Sequence, residues 1–591
     1  MSFEINTRKR KRDNNNYVVC ATQTKNYILD DLVLDWLDMY GEANNYSKDL
    51  LDNKMFPNFL MNKGVEFETN ILKILSQKYH TYSLPNTLNF TSRYTKTVNA
   101  MRKGIPIIIQ GGVYNPKLSI YGIPDLIVRS DILNDIVNEQ VLKDEETKIP
   151  CKFSNNWHYR IIDIKFSTLY LNNKGIHLLN TGMMSVFKSQ LYIYNECISY
   201  MQKYDPNIAY ILGRKWKYTK SKIEYSGNGC FDKLGIIDFN NNDQHIVIKT
   251  NKAIDWIRKL VKYGSAWSID TPKIVELYPN MSNKNDYPWH SVKKTISNSN
   301  KDITLLWNCG PKERNQALNK GINSWDKIVS SEDTLNISGK RAKIIDNIID
   351  SNKDEYIFSP RKIKKWHNIQ TIKEAPLYFI CDFETLNDLD DSFNHLPNSG
   401  GFAMAFMIGC IAIYKENDVL KKEYKSFICK KINKLEESII VTKWLDYMKS
   451  LSDKFGITNP KIFHWSKAEP IIYKNIVKRH NKIFIWRELN FVDLLDVFKT
   501  EPITIKGAFT YGLKDISRNL FNYGLITTLW DSDDMDGREA MVYAWYWDKK
   551  KDSKSIAKTN IMNKIEKYNF IDCKVIDEIL TLLRSKINKP L

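Results

Sequence analysis

Two acidic residues and a lysine stand on apolar stretches of the sequence, where an unpaired charge would be costly. Asp163 and Lys165 lie in the β-branched run 159–166, and Asp125 precedes the apolar residues 126–128. Alternate residues of a strand point to the same face, so Asp163 and Lys165 should lie side by side. A Mg²⁺ ion held by both carboxylates and the carbonyl of Ile164 would relieve their repulsion and activate water for phosphodiester hydrolysis. Lys165 would orient that water or stabilise the developing negative charge.

Two predicted helices flank these strands. The apolar periodicity of residues 58–79 predicts a helix on which Gly64 and Glu68 are one turn apart, with Glu66 as a nearby rival to Glu68. Residues 187–201 predict a second helix, on which Gln190 and Tyr194 share a face at i, i+4. Each helix therefore offers polar side chains that could join the strand residues.

These four elements, in this order, resemble the PD-(D/E)XK nucleases, and specifically the RecB-like branch. Pro124-Asp125 and Asp163-Ile164-Lys165 match the signature, and Gln190-x-x-x-Tyr194 resembles the motif that follows the core. The resemblance implies metal ligation by Glu68, Asp125 and Asp163, with Lys165, Gln190 and Tyr194 in catalytic or supporting roles. Some RecB-like relatives carry an iron–sulfur cluster, but Cys197 and Cys230 do not supply its clustered cysteines, and no cluster is expected.

A second pair of acids lies near the other end of the chain. Asp382 and Glu384 alternate at the end of the predicted strand 376–381, so both project from one side. The final predicted helix, 564–584, places Tyr568 and Asp572 on one face at i, i+4. Paired acids at a strand end are the arrangement that a two-metal phosphoryl-transfer site uses.

This second set resembles the DnaQ-like (DEDD) 3′–5′ exonucleases of the RNase H-like fold. Asp382-Phe-Glu384 corresponds to the first motif and Tyr568-x-x-x-Asp572 to the third, which implies that Tyr568 positions the attacking water. The second motif departs from the family pattern. Glu469 stands in its place as a candidate ligand, and Asp493 is the rival. An RNase H-like domain that has lost its activity remains an alternative.

The amino-acid composition changes near residue 268, where a segment rich in proline and asparagine begins. Within it, residues 303–322 predict a short helix, a glycine turn and a second helix, similar to a helix-hairpin-helix. Such a turn exposes backbone N–H groups that can hold a phosphate. The candidate nucleic-acid contacts are Gly310, Lys312, Arg314 and Gly321. A plain helical spacer with glycine caps is the alternative.

Composition sets the remaining bounds. The 591 residues are too many for one core, and the formal net charge of +19 favours a polyanionic partner, although a lysine-rich proteome would give the same excess. The nine cysteines form no C-x-x-C pair, so no zinc site is expected. They are expected to be reduced thiols in an intracellular protein. No run is long enough to span a membrane. The basic run 8–12 is either a nuclear-localisation signal or a solvated tail.

The sequence thus predicts an α/β multidomain protein: a basic disordered tail (1–16), a RecB-like nuclease domain (17–267), a linker with a helix-hairpin-helix-like segment (268–375) and an RNase H-like exonuclease domain (376–591). That order resembles a family of two-nuclease proteins described as predicted RecB-family nucleases. The expected function is Mg²⁺- or Mn²⁺-dependent hydrolysis of DNA in repair, recombination or end processing, in the cytoplasm or nucleus, with any helicase or repair partner left open. The alternatives are a nucleic-acid-binding scaffold with one or both sites inactive, and a nuclease acting on RNA.

Overall fold

The computed structural model describes residues 17–50, 55–270, 272–530, 536–550 and 555–588. The chain forms two compact units. The first comprises residues 1–50, 60–296 and 391–401, and the second comprises 51–59, 297–390 and 402–591. The predicted linker, 268–375, is therefore divided between the units. The basic run 8–12 lies outside the described residues.

Both units mix helices with mixed β-sheets, which confirms the α/β multidomain class. The strands of the first unit are β1 (Val19–Cys20), β2 (Thr81–Ser83), β3 (Ile107–Ile109), β4 (Val113–Asn115), β5 (Ile120–Gly122), β6 (Leu126–Arg129), β7 (Tyr159–Tyr170), β8 (Ile208–Lys220), β9 (Ile223–Gly227) and β10 (Gly235–Asp238). The strands of the second unit are β11 (Phe358–Ser359), β12 (Leu377–Leu386), β13 (Met404–Glu416), β14 (Val419–Ile428), β15 (Lys461–His464), β16 (Asn490–Asp493) and β17 (Thr504–Ile505).

The α-helices of the described ranges follow in chain order. They are α1 (Lys25–Ile28), α2 (Val33–Trp36), α3 (Met55–Lys78), α4 (Phe90–Arg102), α5 (Ser130–Ile136), α6 (Asp144–Thr147), α7 (Met184–Gln202), α8 (Gln244–Tyr263), α9 (His290–Ser299), α10 (Pro311–Asn319), α11 (Ser331–Leu335), α12 (Gly339–Lys353), α13 (Trp366–Ile372), α14 (Lys434–Phe455), α15 (Ala468–His480), α16 (Leu494–Thr500), α17 (Leu513–Asn522), α18 (Gly537–Asp548) and α19 (Asn560–Asn588). Within those ranges, no helix has an apolar stretch long enough to cross a membrane.

The main sheet of the first unit has seven strands in the order β10-β8-β7-β6-β3-β2, with β9 added to β8. Its central strand β7 is antiparallel to β6 and parallel to β8. Both faces are covered, because successive β7 residues enter different cores: Ile161 packs in a cluster with residues of α7, and Ile162 packs in a cluster with residues of α3. This explains why the strand reads as a nearly continuous apolar run.

The segment 391–401 completes the core of the first unit. The Phe393 ring lies 5.7 Å from the Phe67 ring and 5.6 Å from the Phe166 ring. Phe67 precedes Glu68 on α3, and Phe166 follows Lys165 on β7. A residue distant in sequence therefore packs against the neighbours of two candidate site residues.

The second unit is built around a five-stranded sheet in the order β14-β13-β12-β15-β16. β13 is antiparallel to both of its neighbours, β12 and β14, while β15 is parallel to β12 and β16 is parallel to β15. The long helix α19 contacts both β12 and β13. Residues of α19 therefore lie beside β12, although the two elements are far apart in sequence.

Candidate metal centres

Strand register brings Asp125 and Asp163 together. Leu126 pairs with Ile162 in the β6–β7 ladder, so the same register continued by one residue sets Asp125 opposite Asp163. The backbone N–H of Ile164 donates a 2.7 Å hydrogen bond to Oδ2 of Asp125. Both carboxylates are buried. The two acids are 38 positions apart in sequence, and the antiparallel pairing of β6 with β7 brings them together.

Lys165 lies between the two carboxylates. Its ammonium group forms an ion pair with Oδ2 of Asp163 and lies 3.9 Å from Oδ2 of Asp125. Although burial lowers the pKa of Lys165, the two carboxylates raise it above its ordinary value, so the side chain is charged. Burial and the neighbouring Asp163 raise the pKa of Asp125 well above the usual range. Ionisation of both carboxyl groups would therefore place more negative charge in the site than Lys165 offsets.

Glu68 reaches this group through Gln110, a residue that motif spacing did not indicate. The Nε2 atom of Gln110 donates to Oε1 of Glu68 at 2.7 Å and to Oδ1 of Asp125 at 3.1 Å. The rival Glu66 is exposed and pairs with Lys63 at 2.9 Å. Glu68 is therefore the acid of α3 that is linked to the strand carboxylates.

The backbone of Gln110 is held in an unusual conformation. Its φ angle is 55°, in the left-handed region that non-glycine residues seldom adopt. Its N–H donates to the carbonyl of Asp125 at 2.9 Å, and its carbonyl accepts from the guanidinium of Arg93 at 2.5 Å. Local strain persists where the surroundings fix it, and such positions concentrate at functional sites.

Gln190 and Tyr194 lie on α7 as the spacing predicted. Nε2 of Gln190 donates a 2.5 Å hydrogen bond to the hydroxyl of Tyr194. The Tyr194 ring occupies the space beside Gly122, where an added Cβ would lie 2.1 Å from the ring. Burial raises the pKa of Tyr194, and the charge of Asp163 raises it further, so the phenol is neutral beside the carboxylates. The charges of Asp163 and Asp125 act on Tyr194, so this residue lies near the first centre, and Gln190 is linked to the centre through it.

The second unit contains a tighter group of carboxylates. Ligand atoms of Asp382, Glu384 and Asp572 all lie within 4.8 Å of one another, and no other group of three His, Cys, Asp or Glu residues in the described ranges does so. Burial, followed by the charges of Asp572 and Glu384, raises the pKa of Asp382 well above its ordinary value. Burial likewise raises the pKa of Glu384 to about 7. Such mutual repulsion is the electrostatic condition that a bound divalent cation relieves.

Asn569 connects the acids of this group. Its Nδ2 atom donates to Oδ2 of Asp382 at 2.7 Å and to Oε1 of Glu384 at 3.3 Å. The residue paired with Asp382 in the β12–β13 ladder is Gly409, and a Cβ there would lie 1.6 Å from Oδ1 of Asn569. The absent side chain of Gly409 is therefore what lets Asn569 approach Asp382.

A lysine and two aromatic rings border the carboxylate group. The ammonium group of Lys514 lies 4.9 Å from the ring centroid of Tyr568 and 5.4 Å from that of Trp530. Its charge opposes the burial-driven rise in the pKa values of Glu384 and Asp572. Burial and the nearby Asp572 raise the pKa of Tyr568 above its ordinary value, so its hydroxyl keeps its proton. Lys514 thus acts on these carboxylates through its charge, whereas Lys165 forms a direct ion pair in the first centre.

Glu469 lies near this group but outside the triad. Its Oε2 atom is 3.1 Å from Nδ1 of His464, and both side chains are buried. Its charge contributes to the raised pKa of Asp382, after burial and the two nearer acids. The rival Asp493 accepts hydrogen bonds from the backbone N–H groups of Ser466 and Leu495, at 2.8 and 2.9 Å, and caps α16. Of the two candidates, Glu469 is the one that acts electrostatically on the triad.

A cleft of about 480 Å³ opens beside Glu384. It is lined by Glu384 and Thr385 of β12 and by Arg538 and Met541 of α18. The guanidinium of Arg538 pairs with Asp536 at 2.9 Å and is largely exposed. A cationic group next to the carboxylates is suited to contact a phosphate.

The connector residues require two corrections. The first predicted helix is a single 3₁₀ turn, Ile303–Leu305, and the second is α10. The guanidinium of Arg314 is buried at 3.8 Å from Asp302, so this residue serves the interior and is not positioned for a phosphate. Gly310 is the N-cap residue of α10, and its N–H donates to the side chain of Glu313 at 2.9 Å. Lys312 and Gly321 are exposed, and their predicted role stays a prediction.

Both centres offer carboxylate donors, but only the second brings three of them together: among the described residues, Glu68, Asp125 and Asp163 do not all place ligand atoms within 4.8 Å of one another. Carboxylate oxygens are the ligands that Mg²⁺ and Mn²⁺ prefer. In the second unit, three of them converge. In the first, Oδ2 of Asp163 is buried and accepts no hydrogen bond of acceptable geometry, despite its ion pair with Lys165.

No family model, curated protein sequence or solved structure matches this chain. A functional conclusion therefore depends on the residues and their geometry.

Proposed function

We propose that the protein is a metal-dependent nuclease with two catalytic centres, which hydrolyses DNA and acts in the processing of DNA ends. One observation carries the proposal: each unit gathers a set of partly or fully buried carboxylates with a lysine close enough for its charge to act on them. In the first unit the lysine is Lys165, and in the second it is Lys514. Excess negative charge at a buried site is the expected property of a metal-dependent phosphoryl-transfer centre.

The first centre supports assignment to a PD-(D/E)XK, RecB-like nuclease. Asp125 and Asp163 meet through strand register, Lys165 contacts both, and α3 and α7 supply Glu68 and Tyr194. A chance match of short motifs would not be expected to bring four separate elements to one place.

The second centre supports an RNase H-like exonuclease assignment. Its sheet order, β14-β13-β12-β15-β16, places the first strand in the middle, and β13 is antiparallel to both of its neighbours. The motif residues Asp382, Glu384 and Asp572 converge on this central strand.

Mg²⁺ or Mn²⁺, when bound, supplies charge neutralisation at the scissile phosphate and acidity for the attacking water. Glu68, Asp125 and Asp163 would hold it in the first unit, and Asp382, Glu384 and Asp572 in the second. The ammonium of Lys165 stabilises negative charge that develops on the phosphate oxygens. Tyr568 keeps its proton and orients water by hydrogen bonding.

A second candidate function follows from the position of Glu469. The second centre has three converging carboxylates, and its fourth candidate ligand is engaged with His464. In this version the first unit is the nuclease, and the second binds nucleic acid without cleaving it. Variants that disable one centre at a time distinguish a protein with two active centres from one with a single active centre.

The test uses end-labelled single- and double-stranded DNA and RNA with Mg²⁺, Mn²⁺ or EDTA. Asp163→Asn disables the first centre and Asp382→Asn disables the second. Asp255→Asn and Asp453→Asn are matched controls, because these acids are largely exposed in the same two units. Two active centres predict that each site variant loses about 100-fold or more of one cleavage activity, since several kcal/mol of charge stabilisation is removed. An Asp382→Asn variant that matches wild type on every substrate would leave only the second candidate.

A further inference from the structure

A ladder of stacked aromatic rings lies on the β8–β9 ribbon of the first unit. The ladder consists of Trp216, Tyr218 and Tyr225. The rings of Trp216 and Tyr218 are 6.0 Å apart with an interplanar angle of 20°, and those of Tyr218 and Tyr225 are 5.0 Å apart at 8°. Tyr218 and Tyr225 are direct cross-strand partners. The ladder therefore combines neighbours along one strand with a pair across two strands.

The ladder is closed at one end and open at the other. Trp216 faces Gly227, where an added Cβ would lie 2.5 Å from the indole, and its Nε1 donates to Asp232 at 3.0 Å. Tyr225 stacks on Tyr218, and 40% of its surface is exposed. Cross-strand packing explains the inner rings. Tyr225 is the most exposed residue of the ladder and therefore the one on which a further flat ring could stack.

The ribbon is continuous with the strand that adjoins the first centre. Lys165 on β7 pairs with Gly213 on β8, and Trp216 follows Gly213 by three residues on the same strand. At about 3.3 Å per residue, the ladder begins on the order of 10 Å beyond Lys165. A strand of nucleic acid bound along the ribbon would thus run toward the candidate catalytic lysine.

The charge of the ribbon is complementary to a polyanion. Between residues 213 and 227 there is a single acid, Glu224, which pairs with Lys217 at 3.8 Å. Lys215, Lys220 and Lys222 are further basic residues at the surface, and Arg214 is buried. The ammonium of Lys217 lies 5.1 Å from the centre of the Tyr170 ring, which is 39% exposed. Basic groups interleaved with aromatic rings are the recurring basis for binding single-stranded nucleic acid.

We propose that this ribbon binds single-stranded DNA, with a base stacked on Tyr225 and the phosphates near the ribbon lysines, and so guides the strand into the first centre. A single strand is required because the bases of a duplex already stack on one another. The inference rests on the proposed nuclease function for its choice of DNA. The aromatic ladder and its charge are separate observations from the metal centres.

The test measures fluorescence anisotropy of a labelled oligo-dT with the full chain in EDTA, so that no cleavage occurs. Tyr225→Ala should weaken binding about five-fold or more, because stacking on one aromatic ring is worth about 1–3 kcal/mol per base. Tyr225→Phe keeps the ring and should bind within about two-fold of wild type. Tyr82→Ala removes a comparably exposed tyrosine of the same unit and should change nothing.

A second measurement does not depend on the stability of a variant. An oligonucleotide containing 5-iodouracil, irradiated with the wild-type chain, should cross-link to residues within 216–225. Cross-linking confined to other segments, equal binding by Tyr225→Ala and wild type, or no binding of oligo-dT by wild type would each overturn the proposal. Tighter binding of an RNA of the same base sequence would overturn the choice of DNA. Mg²⁺-dependent cleavage is scored separately, so the ribbon can fail while the nuclease proposal stands.

Discussion

The side-chain amide of Asn569 donates a 2.7 Å hydrogen bond to the carboxylate of Asp382, and the same amide reaches Glu384. Gln110 makes the equivalent connection in the first unit, between Glu68 and Asp125. An amide orients carboxylate oxygens without adding charge, so it positions the ligands and leaves their repulsion for a cation to relieve.

Asn569→Ala is expected to weaken metal binding at the second centre by about 10- to 100-fold, the usual cost of losing a group that orients metal ligands. Calorimetric titration with Mn²⁺ in an Asp163→Asn background reports that centre alone. Asn563→Ala, at an exposed position of the same helix, is the control. Equal Mn²⁺ affinity in both variants would remove Asn569 from the site.

Gln110→Gly separates the amide of Gln110 from its backbone conformation. Glycine adopts a positive φ without steric cost, so the free energy of unfolding should change by no more than about 1 kcal/mol. The missing amide should still lower Mn²⁺ affinity at the first centre by about 10- to 100-fold, measured in an Asp382→Asn background. A variant that unfolds more easily but binds Mn²⁺ as wild type does would show that the role of Gln110 is structural only.

Gly409→Ala should destabilise the second unit by about 1–3 kcal/mol, because its methyl group would overlap the side chain of Asn569. Urea unfolding measures the change. Gly64→Ala is the matched substitution, since it lies within α3 with no atom within 4 Å of the added Cβ. That control should be neutral or stabilising by up to about 1 kcal/mol, as alanine is the better helix former. Similar effects for the two variants would contradict the contact with Asn569.

His158 gives the first unit a defined response to acid. It is fully buried; its Nε2 accepts from Nε of Arg160 at 2.8 Å, and its Nδ1 lies 3.1 Å from the carbonyl of Ile149, so the ring is neutral. Burial, and then the charge of Arg160, lowers the pKa of His158 to about 4. Between its unfolded value of about 6.5 and this value, only the unfolded chain binds the proton, so stability falls as the pH falls.

The loss from this one group should reach about 2 kcal/mol by pH 5. It is measured as the difference in unfolding free energy between pH 7 and pH 5 for wild type and for His158→Gln. The variant should lose correspondingly less over the same interval. Parallel pH profiles would show that His158 is not the titrating group.

Sequence spacing is sufficient to predict which candidate residues share a face of one helix or one strand. Asp163 and Lys165 share a strand face, Gln190 and Tyr194 share a helix face, and these periodicities are local properties of the chain. The α/β class was predictable for the same reason. The contact between Asp125 and Asp163 required only that their strands pair.

The residues that were missed are positioned by tertiary contacts. Asn569 lies inside a recognised motif, but its role depends on the missing side chain of Gly409, which is 160 positions away. Gln110 depends on a left-handed backbone, and Lys514 depends on the packing of α17. The sequence predicts that Arg314 contacts a phosphate, because spacing does not reveal its buried partner, Asp302.

The central claim is that the carboxylates beside Lys165 and the group that includes Asp382 form the catalytic centres. The direct measurement is the initial rate at which the full chain, with Mg²⁺, degrades end-labelled DNA, compared with the Lys165→Ala/Asp382→Ala double variant. We predict a loss of about 1,000-fold or more in the double variant, with circular dichroism unchanged from wild type. Degradation by the double variant at the wild-type rate would contradict the claim.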